Sequence, residues 1–122
     1  MGKIDAFEDL ECWKAARELV RLVNNACKCG SLARDFDTRS QLRRAALSSM
    51  NNIAEGFGRE STREMIRFFD ISQSSAMEVK SMMYTILDMN SLPVATVELI
   101  QLQAEKTKSL TRGFMRYLKT KL

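Results

Sequence analysis

The stretch that decides the fold is STREMIRFFDISQSSAMEVKSMMYTI, residues 61–86. It opens on Ser61-Thr62-Arg63-Glu64, a capping box in which the serine hydroxyl accepts from the amide three residues on and the glutamate returns to the cap. Behind the cap, residues that suit a helix core recur at alternating spacings of three and four. They are Met65, Phe68, Ser72, Ser75, Val79, Met82 and Ile86. The pattern predicts one long helix from Thr62 to about Asn90.

Three other segments repeat this helical periodicity. Their apolar positions predict helices from about Phe7 to Cys29, from about Thr38 to Phe57 and from about Ala95 to Lys119. Long helices joined by short connections are typical of a four-helix bundle. A chain of 122 residues fits one domain of this kind. We therefore predict an all-α, antiparallel, up-down-up-down four-helix bundle that occupies residues 1–122 as a single domain.

Caps and glycines set the predicted ends of these helices. Asp37 or Thr38 is a suitable N-terminal cap for the second helix. Gly56 and Gly58 are predicted to end that helix, since glycine is common just after a helix C-terminus. Gly113 falls inside the fourth helix, where glycine costs stability relative to alanine. We interpret Gly113 as a mark of close helix packing.

The composition excludes several classes of function. The chain has no histidine, which removes the usual general base near neutral pH, the histidine-activated nucleophiles and the commonest metal ligand. Its three cysteines lack the spacing of a zinc site, and we interpret them as reduced, packed thiols. The N-terminus has no signal-peptide pattern, and no apolar run is long enough to cross a bilayer. These features predict a cytoplasmic protein without a metal, a cofactor or an enzymatic activity.

Positive charge is concentrated near the C-terminal end of the sequence. Residues 1–105 carry thirteen Lys and Arg against fifteen Asp and Glu, a net charge of −2, whereas residues 106–122 carry six cations and no acid, a net charge of +6. A second group of arginines opens the second predicted helix. Together the two groups predict one basic patch that is able to contact phosphates. The candidate nucleic-acid-binding residues are Arg39, Arg43, Arg44, Lys108, Arg112, Arg116, Lys119 and Lys121.

The second predicted helix also carries a line of polar residues at spacings of three and four. Its members are Gln41, Arg44, Ser48, Asn52, Glu55 and Arg59. A hairpin that turns near residues 58–60 puts Arg44 opposite Ser75 and brings Glu78 of the third helix within reach of the line. One interpretation is that Glu55 and Glu78 form an acid–base or metal-binding pair. The favoured interpretation is a hydrogen-bonded polar layer, made of the line and Glu78, that fixes helix register in the core or at a subunit contact.

The third predicted helix has apolar residues outside its core stripe. They are Ile66, Ile71, Met77, Tyr84 and Met89. A helix that is apolar on two sides usually contacts a second partner. This second apolar face predicts self-association.

One segment of the second helix resembles the signature of a bacterial family. It reads QLRRAA at residues 41–46, includes Ser48, and continues as NIAEGFGR at residues 52–59. Residues 74–78 are similar to a Gly-Ser-x-x-Glu pattern of the same family, with Ser74 in place of the glycine. The opening segment is similar as well, through Phe7, Asp9, Leu10 and Trp13. The family is the four-helix-bundle family that includes proteins encoded in intervening sequences of 23S ribosomal RNA, and the resemblance covers nearly the whole chain.

The resemblance implies a four-helix bundle that assembles into a ring-like homopentamer. It also implies a relation to the accessory variability determinant of diversity-generating retroelements, a pentamer that binds reverse transcriptase and nucleic acid. It implies no enzymatic activity, and the biochemical role of much of the family is unknown.

Two functions follow from these observations. The favoured one is a non-enzymatic, oligomeric binding module that associates with nucleic acid, RNA in particular, through its basic surface. The alternative is a protein-interaction scaffold whose basic surface docks an acidic protein partner. The expected partners are further copies of the chain, RNA or DNA, and a protein partner, with no membrane.

Overall fold

The fold is described by a computed structural model that covers residues 4–122. Residues 1–3 of the predicted domain lie outside the described part. The α-helices are α1 (Glu11–Ala26), α2 (Phe36–Phe57), α3 (Thr62–Asp88) and α4 (Val94–Lys119). Two short 3-10 helices span Phe7–Asp9 and Gly30–Arg34. The described residues contain no strand, and the predicted all-α class is confirmed.

The four helices pack in a closed cycle. α1 packs on α2, α2 on α3, α3 on α4, and α4 on α1. Because the connections are short, successive helices run antiparallel, so α2 and α4 lie diagonally across the bundle. This arrangement confirms the predicted up-down-up-down bundle. Within residues 4–122, no helix is long and apolar enough to cross a membrane.

The core forms two clusters along the bundle axis. The Leu42 cluster fills one end and includes Leu42 of α2, Met83 of α3 and Ile100 of α4. The Phe69 cluster fills the other end and includes the side chains of Leu10, Cys12, Ala16, Ile53, Phe69 and Met115. The Phe69 ring stacks on the Phe114 ring with centroids 5.4 Å apart. The two clusters provide a reference for the position of any surface feature along the bundle.

The helix starts show which predicted caps form. α2 begins at Phe36 because Asp35 caps it: its carboxylate accepts from the Thr38 amide at 3.2 Å and from the Thr38 hydroxyl at 2.7 Å. These hydrogen bonds, the one from the hydroxyl foremost, lower the pKa of the Asp35 carboxyl. The predicted caps Asp37 and Thr38 are therefore wrong. Ser61 caps α3 as predicted, since its hydroxyl accepts from the Glu64 amide at 3.3 Å.

The first predicted helix is wrong at both ends. Leu10 is extended, with φ −74° and ψ 128°, so the turn at Phe7–Asp9 is separate from α1. α1 ends at Ala26 rather than Cys29. Gly30 then has φ +58°, in the left-handed region that favours glycine, and a Cβ there would lie 2.5 Å from the Ser91 carbonyl oxygen. The chain therefore turns at Gly30 against the connection that precedes α4.

The two glycines inside helices have opposite surroundings. Gly56 lies within α2 rather than after its end, and a Cβ there would lie 2.7 Å from Phe68 Cβ and 3.0 Å from the Phe69 ring. α2 and α3 thus approach closely at Gly56. At Gly113 the nearest atom to such a Cβ is Arg116 Nη2, at 3.7 Å. The interpretation of Gly113 as a mark of close packing is wrong, and Gly56 is the glycine that packing requires.

The three cysteines are free thiols in two environments. Cys12 and Cys27 are buried, whereas Cys29 is exposed. Burial raises the pKa of the Cys12 thiol to about 11 and also raises the pKa of the Cys27 thiol. The interpretation of the cysteines as packed thiols is therefore wrong for Cys29.

Candidate functional site

A polar layer of hydrogen bonds joins α2 to α3 near the middle of the bundle. Ser48 Oγ lies 2.8 Å from Ser75 Oγ. The Asn52 amide donates to the Ser48 carbonyl at 2.9 Å and to the Ser48 hydroxyl at 3.0 Å. Deeper in the core, the Ser72 hydroxyl donates to the Ser49 carbonyl at 2.5 Å. No buried side-chain nitrogen or oxygen among the described residues lacks a partner, so the layer fixes the register of the two helices without an unpaired polar atom.

The observed register differs from the predicted one. Ser48, rather than Arg44, lies opposite Ser75. The difference of four residues is about one helical turn. The connection spans residues 58–61, as predicted, so the difference is an axial offset between the helices. Gly56, near the end of α2, lies against Phe68, which leaves the first turn of α3 beyond the end of α2.

The other members of the predicted line lie outside this layer. Gln41, Arg44, Glu55, Arg59 and Glu78 are all exposed. The Arg59 guanidinium lies 4.6 Å from the centroid of the Phe68 ring. Within the described part of the chain, Glu55 and Glu78 have no hydrogen bond or ion pair. Residues 4–122 also contain no group of three His, Cys, Asp or Glu side chains that could hold a metal ion. A role for these five residues at a subunit contact stays a prediction.

The two predicted basic groups lie at opposite ends of the bundle. Arg39, Arg43 and Arg44 flank Leu42 on α2, beside the Leu42 cluster. Arg112 and Arg116 flank Met115 on α4, beside the Phe69 cluster, and Lys119 and Lys121 follow them. Since α2 and α4 are also diagonal, one chain cannot join these groups. The prediction of a single basic patch is therefore wrong for one copy of the chain.

The arginines of α2 surround a shallow surface cavity, here called the α2 groove. Its volume is about 240 Å³. It is lined by Phe36, Arg39, Ser40, Arg43, Arg44 and Leu47. The Phe36 side chain is 70% exposed, so the groove combines guanidinium groups with an uncovered aromatic ring.

The cations predicted to bind nucleic acid on α4 and just after it divide into one paired residue and an exposed group. Lys108 Nζ lies 3.2 Å from Glu105, whose carboxylate also accepts from Lys80 of α3 at 2.7 Å. The hydrogen bonds from Lys80 and Lys108 lower the pKa of the Glu105 carboxyl. In contrast, no ion pair within residues 4–122 engages the exposed side chains of Arg112, Arg116, Lys119 and Lys121. These four are available to an anionic partner, whereas Lys108 is bound within the chain.

A third basic surface was not predicted from the sequence. Cationic or amide side chains recur on the outer face of α1 and just after it, at spacings of three and four, and we call them the α1 basic row. The row consists of Lys14, Arg17, Arg21, Asn24 and Lys28. Its spacing was the available signal. Glu11 and Glu18, which pair with Lys14 and Arg21, offset the charge of the row when the residues are counted along the chain.

A groove runs beside this row, between α1 and α2. This α1–α2 groove has a volume of about 810 Å³. It is lined by Trp13, Lys14, Arg17, Glu18, Val20, Arg21, Asn24 and Met50. The Trp13 ring packs edge-to-face on Phe7 at 5.2 Å between centroids, and the Arg17 guanidinium lies 5.8 Å from its centroid. Half-buried apolar groups thus alternate with cations along one surface.

Besides Phe36 and Leu47 of the α2 groove, apolar side chains are exposed on α3 and α4. Of the predicted second face, Ile71 and Tyr84 on α3 and Met89 just after it are exposed, whereas Ile66 and Met77 pack against the core. On α4, Leu99 and Leu102 are 51% and 71% exposed. The α4 surface was not predicted, although its spacing from Ala95 through Leu99 to Leu102 continues a three-and-four pattern.

Comparison with known proteins identifies the family and the fold. Residues 8–113 match the family of 23S rRNA-intervening sequence proteins. No curated protein matches the sequence. The chain is similar in structure to a protein of unknown function from the S23 ribosomal protein family of Bacteroides thetaiotaomicron VPI-5482, with a TM-score of 0.78, 19% sequence identity, and coverage of 86% of this chain and 95% of that one. At that identity the likeness supports the fold alone, whereas the family match spans most of the sequence. The chain belongs to the family of 23S rRNA-intervening sequence proteins.

Proposed function

We propose that this protein is a non-enzymatic module that self-associates and binds nucleic acid, RNA in particular, through its basic surfaces. The observation that carries the proposal is the set of surface cations without acidic partners. On α4 and just after it these are Arg112, Arg116, Lys119 and Lys121, and the α2 groove adds Arg39, Arg43 and Arg44. Lysines and arginines that are not engaged within the protein are free to neutralise phosphates and release their counterions.

The proposal assigns no catalytic role because the chain offers few groups that can move protons near neutral pH. It has no histidine. The Cys12 thiol is buried, with a pKa of about 11, so it is protonated at neutral pH and is a poor nucleophile.

Self-association joins basic groups that one chain keeps apart. The exposed Leu99 and Leu102 of α4 favour a contact between copies, since uncovered leucines on a helix face commonly mark a protein contact. The pentamer implied by the family resemblance has a mass of about 70 kDa, from five copies of 13.9 kDa. A ring of five copies multiplies every basic surface fivefold and strengthens the attraction of an extended polyanion.

The proposal is tested by binding of the purified full chain to labelled RNA and duplex DNA. We expect retention at roughly 50 mM salt and a loss of affinity of several tenfold steps by roughly 200 mM, because each neutralised phosphate adds to the salt dependence. The mass in solution is measured alongside, and Leu102→Glu is expected to lower it. If neither RNA nor DNA is retained at low salt, the proposal fails.

The α2 groove favours a second candidate function, a scaffold that docks an acidic protein. Phe36 and Leu47 beside three arginines fit an amphipathic helix with apolar and acidic residues better than they fit a bare phosphate chain. Recovery of partners before and after nuclease treatment separates the two functions. A specific protein partner that survives nuclease and is lost in Phe36→Ser supports the scaffold, whereas partners that all disappear with nuclease support nucleic-acid binding.

A further inference from the structure

The strongest unassigned feature of the molecule is the α1–α2 groove with its basic row. Lys14, Arg17 and Arg21 line the groove, and Glu18 is its one acidic lining residue, so the lining has three cations against one carboxylate. Lys14 and Asn24 are about 15 Å apart along α1 at 1.5 Å per residue. That length matches about four stacked nucleotides at 3.4 Å each. The groove therefore has the length and the charge to follow a short stretch of phosphate backbone.

The cations of the groove are available to a ligand. Arg17 has no acidic partner within residues 4–122, and its guanidinium lies over Trp13. The contacts of Lys14 with Glu11 at 3.6 Å and of Arg21 with Glu18 involve exposed side chains. Exposed ion pairs of this kind are weak and are screened by salt. A phosphate can therefore compete for Lys14 and Arg21 while Arg17 is unpaired.

The basic surface continues from α1 onto α2. The Arg43 and Arg39 guanidinium groups both oppose the rise that burial causes in the pKa of the Cys27 thiol, just after the end of α1. Arg39, Arg43 and Met50 are spaced by four and seven residues on α2 and so share one face of that helix, and Met50 lines the α1–α2 groove. The α1 basic row and these two arginines thus form one extended basic face on the α1–α2 side of the bundle.

The floor of the groove favours an unpaired base over a bare polyanion. Trp13 is half-buried, and Val20 and Met50 give the groove an apolar lining beside it. A tryptophan ring is a stacking surface for any nucleobase, and stacking next to cations is the usual means of binding single strands. Asn24, the uncharged member of the row, offers a donor and an acceptor to a ribose hydroxyl.

The corresponding cavity on the α4 side is less suitable. It has a volume of about 580 Å³ and contains Arg116 and Tyr117, but Asp9 and Glu11 line it as well. Two carboxylates repel a phosphate. The α4 cations therefore supply a general attraction rather than a defined path for a strand.

We propose that the α1–α2 groove is a binding site for single-stranded RNA, with phosphates on Lys14, Arg17 and Arg21 and one base stacked on Trp13. This inference rests on the proposed function and adds the location and the kind of nucleic acid. The two groups of cations then have different roles: the α4 cations attract the strand electrostatically, and the groove binds it.

The test compares two variants with equal loss of charge. Arg17→Ala/Arg21→Ala removes two cations from the groove, and Arg112→Ala/Arg116→Ala removes two from α4. All four side chains are exposed, so both variants are expected to fold. Fluorescence anisotropy of a labelled single-stranded oligouridine gives the affinity at several salt concentrations. Trp13 is the one tryptophan of the chain, so its emission reports stacking directly.

We expect the groove variant to bind oligouridine at least tenfold more weakly than the α4 variant. The slope of log affinity against log salt is expected to fall by about 1.4 in the groove variant, because each of the two arginines that it lacks neutralises one phosphate and contributes about 0.7 to the slope. RNA is expected to quench Trp13 emission in the wild type and in the α4 variant. An oligodeoxyuridine strand is expected to bind more weakly than oligouridine.

The contrary results separate the inference from the proposed function. If the wild type binds no nucleic acid, both fail. If the wild type binds but the groove variant matches the α4 variant, with Trp13 emission unchanged by RNA, the groove is not the site and the proposed function stands. Equal affinity for the DNA strand would overturn the choice of RNA. If the groove variant loses binding to polyglutamate but keeps its binding to RNA, the ligand of the groove is an acidic protein rather than RNA.

Discussion

Replacement of Gly56 by alanine tests the packing that positions α2 against α3. A Cβ at Gly56 would lie 2.7 Å from Phe68 Cβ and 3.0 Å from two carbons of the Phe69 ring. Phe68 Cβ is fixed to the backbone of α3, so the contact cannot be relieved by rotation of a side chain. The two helices must separate, or the first turns of α3 must shift. Either movement disturbs the fully buried Phe69 ring of the Phe69 cluster.

The sign of the effect follows from two opposing contributions. Alanine is favoured over glycine inside a helix by about 1 kcal/mol. Overpacking of a tight core costs about 1–3 kcal/mol, and the upper part of that range applies because backbone atoms must move. Gly56→Ala is therefore expected to lower the free energy of unfolding by about 2 kcal/mol. Gly113→Ala, where the nearest atom is Arg116 Nη2 at 3.7 Å, is expected to raise it by about 1 kcal/mol.

The assay is thermal and urea unfolding of both variants, followed by circular dichroism. At roughly 4 °C per kcal/mol for a chain of this size, the midpoints are expected to move about 8 °C down for Gly56→Ala and about 4 °C up for Gly113→Ala. The two variants make the same chemical change inside a helix, so the difference between their stability changes measures the cost of the contact with α3. Equal stabilisation of both variants would refute the close contact of α2 and α3 at Gly56.

Three further predictions concern hydrogen bonds and thiols. Ser72→Ala, which removes the hydroxyl that donates to the Ser49 carbonyl, is expected to cost about 1 kcal/mol in urea unfolding, and an effect no larger than that of the exposed Ser74→Ala would contradict it. Because the folded-state pKa of Asp35 is lowered, its contribution to stability is present above the ordinary aspartate value of about 3.9 and is lost as pH falls through the folded pKa. The wild type is therefore expected to lose stability relative to Asp35→Asn as the pH falls from about 6 to about 3. A gain in stability relative to the variant over this range would exclude the cap. In native protein a thiol reagent is expected to modify the exposed Cys29 quickly and to modify Cys12 and Cys27 only on unfolding. If Cys29→Ser still shows a rapid phase of modification, Cys12 and Cys27 are not buried as described.

The parts of the fold that the sequence predicts well are those set by local chemistry. The Ser61 cap and the three-and-four spacing behind it depend on residues within a few turns of one another, and α3 begins where they place it. The start of α2 could not be predicted in the same way. Asp35 and Asp37 are equally good caps by type, and the choice depends on where the 3-10 turn at Gly30–Arg34 ends.

The candidate site was harder to predict because it depends on distances between helices. The pairing of Ser48 with Ser75, rather than Arg44 with Ser75, follows from the axial offset between α2 and α3, because the connection between them lies where the sequence predicts it. A shift of one helical turn was enough to leave Glu78 exposed. The α1 basic row was missed for another reason, since Glu11 and Glu18 offset its charge when the residues are counted along the chain.

The most direct test of nucleic-acid binding is the affinity of the full chain for a single-stranded RNA oligonucleotide as a function of salt concentration. We expect binding at roughly 50 mM salt and a fall of log affinity with log salt, at about 0.7 for each phosphate engaged, with quenching of Trp13 emission. No binding at low salt, or an affinity that does not change with salt, would contradict the proposal that this four-helix bundle binds nucleic acid.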